Sequence, residues 1–310
     1  MQSPRGSHSL LTLIFMPSIS ASFYYRTFKA FKLKNSIFAK VIDNPPRNSG
    51  AMSAKKFPKN LTVTERDVEG FMVLTVQPTT PTGHHVVFLH GGAYKVEGMA
   101  GHRTLMVQLV KRFGLTVSFI DYPLAPEHQA TYSHEVVMKA YAQLVAAYPE
   151  DSFSLLGDSA GGGLALAFLQ QLRQQSILPV PQKTVLVSPW LDIDLVHEAI
   201  PRYEPTEVIL SRDTLRAAGK LYRGDLAPTD PLVSPLYGDM SGLGHILVQI
   251  STVEFFYPDS QALAEKLTAA EGSQVTLSEY PGMVHDWIVF PMPETTKAIE
   301  EIGYFLVGDD

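Results

Sequence analysis

The fold of this chain turns on residues 153–163, FSLLGDSAGGG. Phe153–Leu156 is a short β-prone run, and Leu164–Gln175 follows as a helix whose Leu164, Ala167, Phe168 and Leu172 share one face. Between them stands Gly157-x-Ser159-x-Gly161, a strand–turn–helix pattern that lifts a serine onto a tight, strained turn. Glycines on either side let neighbouring backbones come close. Three in succession, Gly161, Gly162 and Gly163, at the opening of a helix cost about 1 kcal/mol each relative to alanine, which marks a geometric need.

On both sides of this unit, apolar runs alternate with helical stretches: Val86–Leu89, Thr116–Ile120, Thr184–Val187, Ile246–Ile250 and Gln274–Leu277. Continuous apolar runs mark strands buried on both faces, and helices between them imply a parallel sheet. Leu61–Val68 and Phe71–Gln77 around Glu69–Gly70 read as a hairpin ahead of them. The expectation is an α/β fold, a mostly parallel eight-stranded sheet flanked by helices. Between the sixth and seventh strands, Ser188–His245 is far longer than one crossover needs. It carries its own helix signal at Ser211–Tyr222 and several prolines. Residues 190–243, approximately, are therefore expected to cap the strand ends.

A length of 310 residues suits two domains or one large α/β domain. With 45% hydrophobic and 18% charged residues, the chain is neither disordered nor fibrous. The absence of cysteine excludes a thiolate nucleophile, a thiolate metal site, an iron–sulfur cluster and disulfides. A net charge of −6 argues against a nucleic-acid partner. The charge is uneven, however. Arg5, Arg26, Lys29, Lys32, Lys34 and Lys40 face no acid before Asp43, and the same stretch holds Phe15, Phe23, Tyr24, Tyr25, Phe28, Phe31 and Phe38.

The NPPRNSG break at 44–50 ends this stretch, so residues 1–50 are expected to form an N-terminal cap segment on a domain of residues 51–310. Three readings stand for the segment: an amphipathic helix packed on the body, a membrane-surface helix, or a signal peptide built on Leu10–Met16 behind Arg5. No run reaches the ~18 apolar residues of a membrane span, so stable membrane insertion is not expected. A cytoplasmic location is the expectation, with the signal peptide open. Oligomeric state is unread, and a homo-oligomer is compatible.

Ligands in parallel sheets bind beyond the carboxyl ends of the strands. Ser159 needs a base to take its proton, and in this chain order the base follows it. Of ten histidines, His285 lies in the loop after the last strand; His197 and His245 sit in or beside the insert. The acid should come from the loop after the seventh strand. Glu254 is immediately there; Asp259, further on, is the alternative, or an N-cap of the helical run Gln261–Ala270. Asp286 adjoins His285, and neighbouring side chains diverge, so it is a poor orienter. Gly91 and Gly92 after the third strand, with Ala160 at the helix start, offer backbone N–H groups to a developing oxyanion. A metal site on His84, His85 and His90 lacks an acidic partner, and no cofactor is expected.

Taken together, HGGAY at 90–94, DYPLAPEH at 121–128, GDSAGG at 157–162, SPWLD at 188–192, DPLVSPLYGD at 230–239 and YPGMVHDW at 280–287 resemble the hormone-sensitive-lipase-like branch (bacterial family IV esterases) of the α/β-hydrolases. The resemblance implies an α/β-hydrolase fold with a cap made from the N-terminal segment and the insert. It also implies cofactor-free hydrolysis of short- to medium-chain acyl esters, a small-molecule substrate. By position, Ser159 is then the nucleophile, His285 the base, and Gly91, Gly92 and Ala160 the oxyanion donors. Family members often carry aspartate where Glu254 stands, and glycine where Ala93 stands. An amidase or other acyl hydrolase with the same triad, or a non-catalytic small-molecule receptor, is the alternative. Trp190, Leu191, Tyr203 and the N-terminal aromatics either line the acyl and alcohol pockets or form the cap's core.

Overall fold

The computed structural model describes residues 17–47 and 49–308. Eight strands build one sheet: β1 (Thr62–Val68), β2 (Phe71–Gln77), β3 (His84–Leu89), β4 (Thr116–Ile120), β5 (Ser152–Asp158), β6 (Lys183–Val187), β7 (Gly244–Ser251) and β8 (Ser273–Tyr280). Their order is β1-β2-β4-β3-β5-β6-β7-β8. β1 pairs antiparallel with β2, and β2 with β4; every other pair is parallel. The β1–β2 turn, Glu69 at φ 56° and Gly70 at φ 87°, has the double positive φ that matches strand twist in a two-residue hairpin. Central β4 is buried throughout, whereas edge strand β8 is mostly half-buried or exposed.

Helices α3 (Ala100–Phe113), α4 (Ala130–Ala147), α5 (Ala160–Gln175), α7 (Tyr257–Ala269) and α8 (Pro293–Val307) flank the sheet. α5 begins at Ala160, one turn before the Leu164 start read from periodicity, so the three glycines lie inside it. The reason is close packing. A Cβ on Gly161 would stand 2.0 Å from the Leu89 carbonyl oxygen, and one on Gly163 would stand 2.1 Å from that of Trp190. The first turn of α5 is thus wedged between the segments leaving β3 and β6.

The register sets Leu89 beside Ile120 and Gly157, and Val187 beside Asp158 and Gln249. The carboxyl ends of the parallel strands are therefore level, and the loops leaving them share one edge. The insert carries α6 (Arg212–Arg223), and the N-terminal segment carries α1 (Ile19–Ala30), a π-helical turn at Lys34–Phe38 and α2 (Ala39–Asp43). Ser18 caps α1 and is bound by Glu294 of α8 through its N–H (2.7 Å) and hydroxyl (2.9 Å). The inner face of α1 sets Tyr24 and Phe28 against Phe290. Lys34 pairs with Glu204 of the insert at 3.3 Å and lies over the Phe255 ring. The apolar stretch Leu10–Met16 and Arg5 lie outside the described residues. Among those described, no helix is long and apolar enough to cross a membrane.

Candidate active site

Ser159 stands between β5 and α5 at φ 51°, ψ −121°, a backbone conformation that a side chain disfavours and that only surrounding structure maintains. That structure is visible. Ser159 N–H donates to Val187 O at 2.8 Å, its carbonyl accepts from Trp190 N–H at 2.9 Å, and Gly157 and Gly161 meet where any Cβ would collide. The strain turns Oγ away from the backbone, toward the loop after β8.

His285 receives it. Its Nε2 is 2.9 Å from Ser159 Oγ, and its Nδ1 is 2.5 Å from Glu254 Oε2. Glu254 is fully buried, and its other oxygen, Oε1, accepts from Ser188 Oγ–H at 2.7 Å and Ser251 N–H at 2.9 Å. With three donors satisfied, this carboxylate is held in one orientation, and as an acceptor it keeps the hydrogen of His285 on Nδ1. Nε2 of the neutral ring is then free to accept from the serine. Ser251 Oγ–H donates to Met283 O at 2.6 Å, which ties the end of β7 to the histidine loop. Burial works against the charged imidazolium, but the nearby carboxyls of Asp286, Glu254 and Glu207 outweigh it and raise His285 above the ordinary histidine range.

The loop after β3 runs beside the serine. Gly92, Ala93 and Tyr94 all have positive φ, 122°, 54° and 58°, so successive N–H groups curl to one side, as in anion-binding nests. Gly91 packs so close to the elbow that a Cβ would reach Asp158 Oδ2 and Ser159 Cβ. Gly91, the first of the three donors expected from sequence, thus lies directly against the serine turn. Gly92 N–H points from the same curl, and Ala160 opens α5, where first-turn N–H groups have no partner within the helix.

Other expectations are corrected. Asp259 is not an N-cap: α7 starts at Tyr257 behind Phe256, and Asp259 is buried in its first turn with both oxygens unpartnered. Burial and Asp192 push its carboxyl up to about 7, and it makes no contact with His285. Trp190 and Leu191 are fully buried core, with Trp190 Nε1–H bound to Asp192 O, whereas Tyr203 is half-buried against Tyr257. His85 is buried between Asp151 and Ser118, and His84, on the other face, does not join it. Among the described residues no three metal-ligating side chains converge.

Asp286 does not diverge from His285. Its residue is left-handed (φ 52°, ψ 39°), which brings Oδ2 to 3.3 Å from Nε2. Ser188 and Ser251 are given no role by the sequence reading, and Asp286 is set aside there as a poor orienter. The two serines carry only the signal of standing at strand ends, and Asp286 depends on a backbone conformation that no pattern announces. A cavity of about 650 Å³ lined by Arg47, Met52, Phe71, Asp121 and Glu127 lies to the β1–β2 side and does not include the serine or histidine.

Comparison with known proteins identifies the fold family. Residues 86–289 match a family defined by the α/β hydrolase fold. The chain is 34% identical over 260 residues to an esterase from Acinetobacter venetianus, covering 82% of this chain and 85% of that protein. It is 34% identical over 234 residues to an acetyl-hydrolase from Streptomyces hygroscopicus, covering 74% and 78%. Among solved structures, an esterase from the bacterial hormone-sensitive lipase family aligns with a TM-score of 0.80 at 26% identity, over 94% of this chain and 98% of that one.

Proposed function

The chain belongs to the α/β-hydrolases, in their hormone-sensitive-lipase-like esterase branch, and from that premise we propose that it is a serine carboxylesterase cleaving short- to medium-chain acyl esters through an acyl-enzyme on Ser159. Its relatives' names, esterase and acetyl-hydrolase, support ester hydrolysis. The observation that carries the mechanism is the single line Ser159 Oγ–His285 Nε2–Glu254 Oε2, at 2.9 and 2.5 Å, starting from a strained serine.

Ser159 Oγ attacks the ester carbonyl as His285 Nε2 takes its proton. Glu254 holds the Nδ1 hydrogen and stabilises the imidazolium. The oxyanion is met by Gly91, Gly92 and Ala160 N–H, with Ala93 N–H next in the loop. Such a donor lowers the barrier by roughly 3–4 kcal/mol. The imidazolium passes its proton to the leaving alcohol, and water repeats the sequence on the acyl-enzyme. Residues 1–50 and 190–243 together form the cap over residues 51–310; the Lys34–Glu204 pair and the Phe28–Phe290 contact support that reading.

The test is stoichiometric labelling by an organophosphonate together with p-nitrophenyl esters from acetate to palmitate. Ser159→Ala is expected to abolish both labelling and turnover while leaving the fold intact, since only residual catalysis survives loss of a triad member. Retention of more than a few per cent of turnover overturns the assignment.

A further inference from the structure

The loop after β3 is gripped by the insert. Gly92, Ala93 and Tyr94 stand at φ 122°, 54° and 58°. Glycine enters that region freely, whereas Ala93 and Tyr94 stay there only where their surroundings impose it. The turn closes on itself through Lys95 N–H and Val96 N–H, which donate to Gly92 O at 3.0 and 2.8 Å, and the Tyr94 carbonyl accepts from Ala125 N–H at 2.8 Å. Those bonds tie the backbone to itself and to the loop after β4. The Tyr94 side chain is held by other means.

The Tyr94 ring lies flat on the ring of Tyr222, with centroids 3.7 Å apart and planes 1° from parallel, and both residues are buried. Two rings left to themselves favour an offset or edge-on pairing at about 4.5–7 Å, so this close sandwich is set by the backbones that carry it. One is the left-handed turn. The other is α6, whose buried residues Leu215, Ala218, Gly219 and Tyr222 share one face. That helix is seated closely: a Cβ on Gly219 would stand 2.8 Å from Ile193 Cγ1. Tyr94 also meets Trp190 at 5.5 Å, and its hydroxyl oxygen is 2.8 Å from where a Cβ on Gly163 would stand. It therefore has the insert's helix against its ring and the first turn of α5, next to Ser159, under its hydroxyl.

We propose that Tyr222 is a positioning residue for the oxyanion hole: from the insert it presses Tyr94 onto α5 and so keeps the Gly92–Tyr94 turn in its left-handed curl. The inference rests on reading Ser159 as the nucleophile and this loop as its oxyanion donor. Tyr222 acts through Tyr94, and the donors are aligned only while the insert is seated on the sheet. Among the described residues the Tyr222 hydroxyl has no hydrogen-bond partner, so the flat ring does the holding. The loop has a second support in the N-terminal segment, where Lys95 Nζ donates to Asp43 O at 3.1 Å and Arg47 donates to Lys95 O. Losing the Tyr222 ring therefore loosens the donors without removing them.

The experiment measures kcat and KM for p-nitrophenyl butyrate, and the inhibition constant of an alkyl trifluoromethyl ketone, in wild type, Tyr222→Leu and Tyr222→Phe, with organophosphonate titration to count folded sites. Ser159 Oγ adds to the ketone carbon, its proton passes to His285 and the carbonyl electron pair moves to the oxygen, so affinity for the ketone reports on the donors. Outright removal of one donor costs about 10²–10³ in kcat, and Tyr222→Leu, which only loosens them, is expected to lose about tenfold. Its KM should stay within about twofold of wild type, and its ketone affinity should weaken by the same factor as kcat/KM. Tyr222→Phe keeps the flat ring and is expected to recover to within about twofold of wild type in kcat. A wild-type kcat in Tyr222→Leu overturns the proposal. So does a loss confined to KM, or one that leaves ketone affinity unchanged, since Tyr222 then serves the substrate and not the donors. A Tyr222→Phe as impaired as Tyr222→Leu overturns it as well, because the hydroxyl is then required. Should Tyr222→Leu fail to fold, Tyr222→Met takes its place under the same outcomes; should both fail, Tyr222 is core alone and the proposal falls. Ser159→Ala runs alongside: turnover surviving in it refutes the serine reading, whereas an inert Ser159→Ala with an unimpaired Tyr222→Leu refutes only this inference.

Discussion

Replacing Glu254 by glutamine keeps its size, and the structure decides which way the amide turns. Oε1 accepts from Ser188 Oγ–H and Ser251 N–H, and Oε2 accepts from His285 Nδ1–H. An NH₂ in place of Oε1 would face the fixed N–H of Ser251, two buried donors in opposition, at a penalty of about 1–3 kcal/mol. An NH₂ in place of Oε2 faces a ring that can change tautomer. The amide therefore turns its nitrogen to His285, Nδ1 becomes the acceptor, and the hydrogen moves to Nε2, where it blocks proton transfer from Ser159. The comparable change in a serine protease lowered turnover by about 10⁴. A loss of roughly 10²–10⁴, about 3–5 kcal/mol of barrier, is expected here in kcat for p-nitrophenyl butyrate, with organophosphonate labelling slowed in parallel and Tm little changed. A Glu254→Gln enzyme within tenfold of wild type refutes the tautomer argument. A larger loss in Asp259→Asn than in Glu254→Gln moves the acid to Asp259.

Three further outcomes follow from the same geometry. His285 must be neutral to act as base, and its raised pKa puts the acidic limb of kcat/KM above the ~6.5 of free imidazole. Because that pKa is higher folded than unfolded, its stabilising contribution is complete below about pH 6.5 and is lost as pH climbs through the folded value. Activity should therefore rise where thermal stability falls, and a kcat/KM plateau already reached below about pH 6.5 contradicts this. Asp259, pushed up to about 7, favours the folded state only while protonated, a contribution lost between about pH 4 and 7. Asp259→Asn should raise Tm at about pH 8, by the equivalent of roughly 2 kcal/mol, and a lowered Tm there would show a bonded carboxylate instead. Deleting residues 1–50 removes α1 and α2 and uncovers Phe255 and Phe290; the ester chain-length profile should change and solubility fall, and an unchanged profile refutes the proposed cap.

The sequence by itself determined the α/β topology, because strands buried on both faces must be apolar throughout and the helices between them must cross over the sheet. It also marked Ser159, Glu254 and His285 as candidates, since each directly follows or lies in the loop after a strand whose carboxyl end the fold aligns with the others. Strand boundaries moved by at most three residues, as expected where the last pair of a ladder is polar, such as Asp158 in β5. What periodicity could not convey was how closely two backbones approach: the glycines of α5 lie inside the helix because β3 and β6 send carbonyls against it. Nor could spacing assign the small polar residues. Ser188 and Ser251 hold Glu254 across 66 and 3 positions of sequence, Asp259 turned inward unpartnered rather than capping its helix, and Asp286 folds back on its neighbour through a left-handed residue. Those outcomes depend on side-chain directions and buried hydrogen-bond partners, which only the assembled strand ends bring within reach of one another.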